Sequence, residues 1–361
     1  MRKSFIAALL GLTVSMASWA ATLEQKVGQM VMVAFNGLQP SDGQISTLLR
    51  DLKAGELGGV IISGGNVESP SQLKSLMKPL LNAAKEGERQ SGQKVLFSVD
   101  QEGGAVARLN DKKGFGKYPR PFDMMEAGDT QAAYNIWKNM ACELTDYGIN
   151  FNLAPVVDLN LVADSPAIGK WGRSFSKHPN KVVKWAELFI DAHRPCGVLT
   201  SIKHFPGHGS ATGDTHEGFV DVTNTWQPQE LEPYKALIAK GKADTIMTAH
   251  VVNQKWSNMP ATLAPEVIGG ILRGQLGYDG VVITDDLMMG AIDQYYSFDE
   301  RIVQAIKAGA DIVLIAAAKD PNIQNAAAAR KAIMHAVANG ELSEERINQS
   351  FERLLRLKGK I

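Results

Sequence analysis

Eight short apolar segments constrain the fold of this 361-residue chain more than any other feature. They lie at 27–35, 58–65, 94–100, 150–160, 198–205, 243–250, 279–286 and 311–318. Stretches of helical periodicity separate them, at 71–90, 130–148, 181–195, 228–241, 265–277 and 300–310. Apolar runs bounded by turn residues are typical of strands buried on both faces of a parallel sheet. Eight such strands alternating with helices predict an α/β fold of the (β/α)8 TIM-barrel type.

A doubly wound parallel sheet is the alternative with the same alternation. That fold favours a glycine-rich phosphate loop after its first strand, whereas the first segment here ends in Asn36-Gly37 without such a loop. Neither a low-complexity linker nor a charge run marks a domain boundary. Residues 21–361 are therefore predicted to form a single domain, in which 322–360 supplies two surface helices that close the barrel.

The N-terminal segment has the layout of a secretory signal peptide. Arg2-Lys3 precedes an apolar run at 5–16, and Ser18 and Ala20 place small residues at the −3 and −1 positions of a cleavage site. The alternative is a membrane anchor, but the run is shorter than the roughly 20 residues of a spanning helix. We expect residues 1–20 to be removed and the protein to be periplasmic or secreted, with no membrane association after cleavage.

Charge and cysteine content exclude some classes of partner. Lys+Arg and Asp+Glu both number 38, so nothing attracts the chain to nucleic acid or to an anionic membrane surface. We expect a monomer. The two cysteines, Cys142 and Cys196, lie among apolar helix residues, and the sequence leaves open whether they pair or stay buried as free thiols.

Polar residues follow the ends of most predicted strands. They are Asn66, Asp100, Glu102, Asp158, Lys203, His204, His250, Asp285 and Asp286. The C-terminal ends of the strands form the active face of a (β/α)8 barrel. Charged groups packed there cost free energy unless they are paired or used. The pattern predicts a catalytic pocket at this face.

The segment 201–218 holds His204, His208 and His216, together with Asp214. These four side chains could be metal ligands. Barrel metallohydrolases commonly also draw a His-x-His pair from the first strand, which contains no histidine here. We therefore predict no metal, and interpret His208 as a residue that braces the loop.

Asp214 and His216 are better interpreted as a proton-transfer pair. A carboxylate two residues from a histidine can fix the tautomer of the ring and raise its basicity. Such a histidine serves as a general acid and base near neutral pH. Across the pocket, the seventh strand offers Asp285 and Asp286, one of which could attack an anomeric carbon while the other binds backbone.

Several motifs together resemble one family. They are SVDQEGGAVARL (98–109), GRSFSKHP (172–179), KHFPGHG (203–209), DTH (214–216) and the segment 260–289 that contains TDDLMM. From about Leu23 to the C-terminus, the chain resembles glycoside hydrolase family 3, in its single-domain β-N-acetylglucosaminidase (β-N-acetylhexosaminidase) branch. The resemblance implies the barrel fold and a carbohydrate substrate, and it implies no metal or organic cofactor.

The resemblance also implies residue roles. Asp285 corresponds to the family's nucleophile, and His216 to the acid/base, with Asp214 supporting it. The residues that correspond to sugar contacts are Asp100, Arg108, Arg173, Lys203 and His204. Two features depart from the pattern: Ala105 stands where the family often has arginine, and recycling enzymes of this branch are cytoplasmic and lack a signal peptide.

The implied activity is retaining removal of terminal β-linked N-acetylglucosamine from peptidoglycan fragments or chitooligosaccharides. A β-glucosidase of the same family and a cell-wall-binding protein without turnover are the alternatives. Glu102 is interpreted as a structural acceptor, whereas His250 and Asp158 could line the pocket or be rim groups. The sequence leaves open whether three tryptophans stack on sugars or pack between helices; they are Trp171, Trp226 and Trp256.

Overall fold

The protein is described by a computed structural model. It covers residues 21–317 and 321–361, so the predicted signal peptide lies outside the described part of the chain. In that part, no helix is both long and apolar enough to cross a membrane.

Eight parallel strands form the centre of the molecule and confirm the predicted barrel. They are β1 (Val31–Ala34), β2 (Gly59–Ile62), β3 (Leu96–Val99), β4 (Phe151–Asn152), β5 (Leu199–Phe205), β6 (Thr245–Thr248), β7 (Val281–Ile283) and β8 (Val313–Ile315). Each strand pairs with the next along the chain from β1 to β7, and β1 also pairs with β8. A parallel bridge between Ile283 and Ile312 connects β7 to β8 and nearly closes the ring.

Helices surround the strands in the predicted alternation. They are α1 (Leu23–Gln29), α2 (Gly43–Lys53), α3 (Pro70–Ser91), α4 (Pro121–Ala127), α5 (Thr130–Asp146), α6 (Pro179–His193), α7 (Glu232–Ala239), the π-helix Glu266–Gln275, α8 (Gly290–Asp293), α9 (Phe298–Ala308), α10 (Gln324–Ala338) and α11 (Glu344–Lys358). The last two are the predicted C-terminal pair.

Local sequence explains the ends of these helices, as α3 illustrates. Ser69 accepts a hydrogen bond from the backbone of Gln72, and Pro70 occupies the first turn, where its missing N–H is not needed. Gly92 ends the helix in the left-handed conformation. The face that carries Leu76 is buried against the barrel. The strands themselves are buried on both sides, as their apolar composition predicts.

The loops after the strands build the mouth of the barrel. An antiparallel hairpin, Gln101–Gly103 with Val106–Ala107, follows β3, and Ala105 lies exposed in its turn. The seven-residue strand β5 extends to Phe205 and carries Lys203 and His204 into the mouth. The polar side chains of the strand ends therefore meet on this face.

The two cysteines form a disulfide bond in the helical layer. Cys142 on α5 is bonded to Cys196, which lies in a short turn after α6, with the Cα atoms 5.1 Å apart. The question that the sequence left open is therefore answered by a bond, because the packing of α5 against α6 brings the two side chains together.

Candidate active site

Lys203 is the centre of a buried cluster of charges on one side of the mouth. Its Nζ lies 2.8 Å from Asp100 Oδ1 and 2.7 Å from Glu102 Oε1, and only 3% of its side chain is exposed. Burial works to lower the pKa of Lys203, but the two carboxylates outweigh it and raise the pKa. The ammonium group therefore stays charged, with one of its three N–H donors left for a ligand.

Glu102 is the shared acceptor of this cluster. Arg173 donates to it through two parallel bonds, Nε to Oε2 at 2.8 Å and Nη2 to Oε1 at 2.7 Å. Burial opposes ionisation of Glu102, but Arg173 and Lys203 hold its pKa well below the ordinary value. Glu102 is thus an ionised acceptor with both oxygens engaged, which is the structural role expected from the sequence and not that of a proton donor.

Asp100 and Arg108 lie at the more open edge of the cluster. Arg108 Nη2 is 3.4 Å from Asp100 Oδ2, and the side chains are 37% and 21% exposed. Burial raises the pKa of Asp100, but Lys203 and then Arg108 overcome this effect, so the net shift is downward. An ionised carboxylate beside two cations can accept from and donate to the hydroxyls of a polar ligand.

His204 is held by Asp158 at the end of β5. Its Nδ1 lies 2.6 Å from Asp158 Oδ2, and the same carboxylate accepts from the backbone N–H groups of His204 and His208. The other ring nitrogen, Nε2, lies 3.4 Å from Arg173 Nη2. Asp158, whose role the sequence left open, therefore fixes the orientation of His204 and the start of the following loop.

The two carboxylates after β7 have different surroundings. Asp286 Oδ1 accepts from the backbone N–H groups of Met288 at 3.0 Å and Ala316 at 2.8 Å. Burial raises the pKa of Asp286 to about 6. Its neighbour Asp285 accepts from the backbone of Asp286 and remains partly exposed at the mouth. Asp286 therefore binds backbone, as predicted for one of the pair, and Asp285 is the carboxylate available to a ligand.

Three histidines influence the charge of Asp285. Burial works to raise the pKa of Asp285, but His250, His204 and His216 outweigh it and hold the pKa below its ordinary value. His250 itself is buried, with Nδ1 2.8 Å from Thr262 Oγ1 and Nε2 2.9 Å from the carbonyl oxygen of Asp286. His250 is therefore a satisfied rim group that fixes the backbone beside an ionised Asp285.

The predicted proton-transfer pair is formed. His216 Nδ1 lies 2.7 Å from Asp214 Oδ1, and the backbone N–H of His216 donates to the same oxygen at 2.9 Å. The hydrogen bond that His216 donates to Asp214 is the main cause that raises the pKa of His216, and the same bond lowers the pKa of Asp214 to about 2. Because Nδ1 is engaged, Nε2 is the ring atom left for proton transfer.

The loop that carries this pair is fixed at its base and exposed at its tip. Glu230 accepts from the backbone N–H groups of Gly209 and Ser210 at 3.2 and 3.3 Å. A Cβ at Gly209 would lie 1.8 Å from the carbonyl oxygen of Leu159, so only glycine fits there. At the tip, 64% of the His216 side chain is exposed. The base holds the loop over the mouth.

A contact between His208 and Thr215 connects the base of the loop to its tip. His208, buried and with a pKa lowered to about 4 by burial, places Nε2 3.4 Å from Thr215 Oγ1. The carbonyl oxygens of Thr215 and His216 accept from the N–H groups of Ala291 and Gly290. His208 thus braces the loop, as expected. Glu230 was not foreseen, because its sequence context indicates only a helix-capping residue.

Not every predicted rim residue belongs to the cluster. Asn66 is buried and donates to the carbonyl oxygens of Phe35 and Gly37, so it braces neighbouring loops. Trp226 packs against Trp256 with the ring centroids 4.5 Å apart, which favours packing over sugar stacking for this pair.

Within residues 21–317 and 321–361, no group of three His, Cys, Asp or Glu side chains is arranged to hold a metal ion.

A barrel mouth with an ionised carboxylate, a carboxylate-supported histidine and a cluster of charged hydrogen-bonding groups defines a class of protein. These groups suit attack at an acetal carbon, proton transfer to its oxygen and recognition of hydroxyls. The class is that of the glycoside hydrolases.

Comparison with known proteins gives the family. Residues 22–357 match the profile of the Glycosyl hydrolase family 3 N terminal domain. Among curated relatives, the chain is 32% identical to Beta-hexosaminidase A of Pseudoalteromonas piscicida, over 85% of this chain and 54% of that protein. It is 34% identical to a Beta-hexosaminidase of Tolumonas auensis, over 80% of this chain and 85% of the relative.

Solved structures agree with this assignment. A family 3 β-N-acetylglucosaminidase of Paenibacillus sp. superimposes with a TM-score of 0.84 at 38% identity, covering 94% of this chain and 63% of that one. A β-N-acetylhexosaminidase of Beutenbergia cavernae gives 0.83 at 32% identity, covering 94% and 98%. The chain therefore belongs to glycosyl hydrolase family 3. It spans about half the length of the Pseudoalteromonas relative and less than two thirds of the Paenibacillus protein.

Proposed function

We propose that this protein removes β-linked N-acetylglucosamine from the non-reducing ends of its substrates with retention of configuration. The main support for the proposal is that two adjacent carboxylates have different surroundings. Asp286 is turned to backbone N–H groups, whereas Asp285 is ionised and faces the mouth that His216 overhangs. The names of the relatives and neighbours support N-acetylglucosamine as the sugar released.

In the first step, an oxygen of Asp285 attacks the anomeric carbon and forms a covalent glycosyl-enzyme. The bond from that carbon to the leaving oxygen breaks, and His216 Nε2–H donates its proton to this oxygen. The raised pKa of His216 favours the protonated ring, because the carboxylate of Asp214 stabilises the cation. The leaving group departs as a neutral alcohol.

In the second step, water attacks the anomeric carbon from the side that the leaving group vacated. His216 Nε2 takes a proton from this water as the bond to Asp285 breaks, and both side chains return to their starting states. Two inversions at the same carbon retain its configuration. Asp214 stays ionised throughout, as its pKa of about 2 requires.

The buried cluster is proposed to bind the sugar that is released. Asp100 accepts from hydroxyls, and donors come from the remaining N–H groups of Lys203, Arg173 and Arg108 together with the ring of His204. Glu102 neutralises part of this positive charge, so an uncharged sugar is accommodated without an unpaired buried cation. The mechanism calls for no metal or organic cofactor.

Export is the second part of the proposal. The charged start, the apolar run at 5–16 and the small residues before position 21 support a cleaved signal peptide. The disulfide between Cys142 and Cys196 supports an oxidising compartment, because such bonds persist outside the cytosol. A monomeric enzyme in the periplasm or outside the cell would meet peptidoglycan fragments or chitooligosaccharides.

The test of activity is nitrophenol release from the β-N-acetylglucosaminide and the β-glucoside, with and without EDTA. The proposal predicts preference for the acetamido sugar, insensitivity to EDTA and β-configured N-acetylglucosamine as the first product in NMR spectra. Preference for the glucoside would keep the nucleophile but replace the activity with that of a β-glucosidase. The absence of turnover on either substrate would favour a carbohydrate-binding protein.

The test of export is fractionation of cells that express the full chain. Mature protein beginning at residue 21 is expected outside the inner membrane, where it carries the disulfide. Full-length protein that stays in the cytosol would contradict the proposed location and leave the proposed chemistry unaffected.

A further inference from the structure

Two aromatic side chains lie exposed next to the acid–base loop. Phe219 is 49% exposed and Tyr295 is 59% exposed, although large apolar groups normally pack away from water. Their ring centroids are 6.2 Å apart and the ring planes are inclined by 67°. The two residues come from different parts of the chain, so tertiary packing holds this exposed pair together.

The pair is fixed to the active site by its neighbours. Phe219 follows His216 by three residues, and Tyr295 follows α8. The loop and α8 are joined by the hydrogen bond from Gly290 to the carbonyl oxygen of His216 and by that from Gln294 Nε2 to Glu217, at 3.3 and 3.2 Å. The aromatic pair therefore has a defined position relative to the proposed acid.

The proposed mechanism assigns this position to the leaving-group side of the cleaved bond. His216 must contact the glycosidic oxygen, which stands between the released sugar and the leaving group. The released sugar occupies the buried side, over Asp285 and beside Lys203. Groups that extend outward from His216 on its own loop therefore face the leaving group.

A cavity of about 890 Å³ lies between the loop and α8, and its lining includes Gln294, the residue before Tyr295. Its lining residues include Asp214 and His216, together with the amide-bearing residues Gln294, Asn322 and Asn325. This volume is within the range of small-ligand pockets. Amides both donate and accept hydrogen bonds, which suits the hydroxyl and acetamido groups of amino sugars.

We propose that Phe219 and Tyr295 form a stacking platform for pyranose rings of the leaving group, so that the enzyme prefers β-linked amino-sugar chains over glycosides with a small leaving group. The inference rests on the proposed function and names its substrate class. The apolar C–H face of a pyranose packs on an aromatic face, while its hydroxyls reach the amides of the cavity.

The test compares kcat/KM on the tetrasaccharide of β-1,4-linked N-acetylglucosamine with kcat/KM on methyl β-N-acetylglucosaminide. The double variant Phe219→Leu/Tyr295→Leu keeps apolar volume at both positions but removes both aromatic faces. We expect a loss of roughly three- to tenfold on the tetrasaccharide, mainly in KM, and less than about twofold on the methyl glycoside. Tyr295→Phe, which keeps its ring, is expected to behave as wild type.

Two results would overturn the platform alone. Equal losses on both substrates would mean that the aromatic pair only steadies the loop, and unchanged kinetics on both would mean that the rings bind no sugar. A wild-type enzyme that cleaves neither substrate would instead refute the proposed function, and the platform with it.

Discussion

The two sides of the barrel mouth are built in different ways. On one side, Lys203, Arg173 and Glu102 are buried and paired with one another, and their exposed fractions do not exceed 12%. On the other side, His216 is 64% exposed and is oriented by Asp214 and by backbone hydrogen bonds of its loop. The proposed sugar-binding groups are thus preorganised, whereas the proposed proton donor is held by few contacts.

The two sides therefore depend on different interactions. A buried charge cluster keeps its geometry because removal of one partner leaves an unpaired buried charge, which costs roughly 3–5 kcal/mol. The exposed His216 depends mainly on one carboxylate, Asp214, for the upward shift of its pKa. Substitutions on the preorganised side should therefore act on all substrates alike, and those on the loop should depend on the leaving group and on pH.

The largest effect is expected for Asp285→Asn. Loss of the proposed nucleophile should reduce kcat at least about 10³-fold on every β-N-acetylglucosaminide, whatever its leaving group. Asp286→Asn is the matched control, because its side-chain oxygen can still accept from Met288 and Ala316. Nitrophenol release by both purified variants measures the difference, and similar losses in the two would contradict the assignment.

The next effect is that of His216→Ala. General acid–base catalysis contributes roughly 10²–10⁴-fold, and a loss of that size is expected on a disaccharide of N-acetylglucosamine. Formation of the glycosyl-enzyme should suffer less with a nitrophenyl substrate, because nitrophenolate leaves without a proton. A burst of nitrophenol followed by slow turnover would show this. Equal slowing of the first step for both leaving groups would exclude His216 as the acid.

Asp214→Asn should change the pH profile more than the maximum rate. The carboxylate raises the pKa of His216, and the first step needs the protonated ring, so activity falls on the alkaline side as that pKa is passed. Removal of the carboxylate lowers this pKa and moves the alkaline limb of kcat/KM to lower pH. The profile on the disaccharide measures the shift; an unmoved limb would contradict the pairing.

The smallest effect on catalysis is expected from the helical layer. The double variant Cys142→Ser/Cys196→Ser should lose about 2–4 kcal/mol of the free energy of unfolding, because the bond closes a loop of 54 residues. Its kcat/KM should stay within about twofold of wild type. Denaturant unfolding and steady-state kinetics test the two parts, and a large catalytic loss would show that α5 and α6 help to position the mouth.

The sequence predicted the barrel because each strand is short, apolar and bounded by turn residues. Its largest error in extent concerns β4, which was expected over 150–160 and spans only Phe151–Asn152. Pro155 explains the difference, since it has no backbone N–H to continue the ladder. Periodicity detects burial, which extends beyond the strand, but not the loss of a single hydrogen-bond donor.

At the site, the sequence located the polar strand ends but not their pairing. Glu230 supports the loop from 20 residues away, and nothing local to it indicates that contact. The bond between Cys142 and Cys196 likewise depends on how two helices pack. The aromatic pair of Phe219 and Tyr295 was also missed, because the two residues are far apart in sequence. Long-range partners of this kind require the folded chain.

The proposed mechanism requires a covalent bond between Asp285 and the sugar. The most direct test is incubation with a 5-fluoro N-acetylglucosaminyl fluoride, which slows breakdown of the glycosyl-enzyme, followed by mass spectrometry of the tryptic peptide 274–301. We expect one fluorosugar per chain, attached to Asp285. A sugar attached to Asp286 or to another residue, or the absence of an adduct while the enzyme turns over normal substrate, would contradict it.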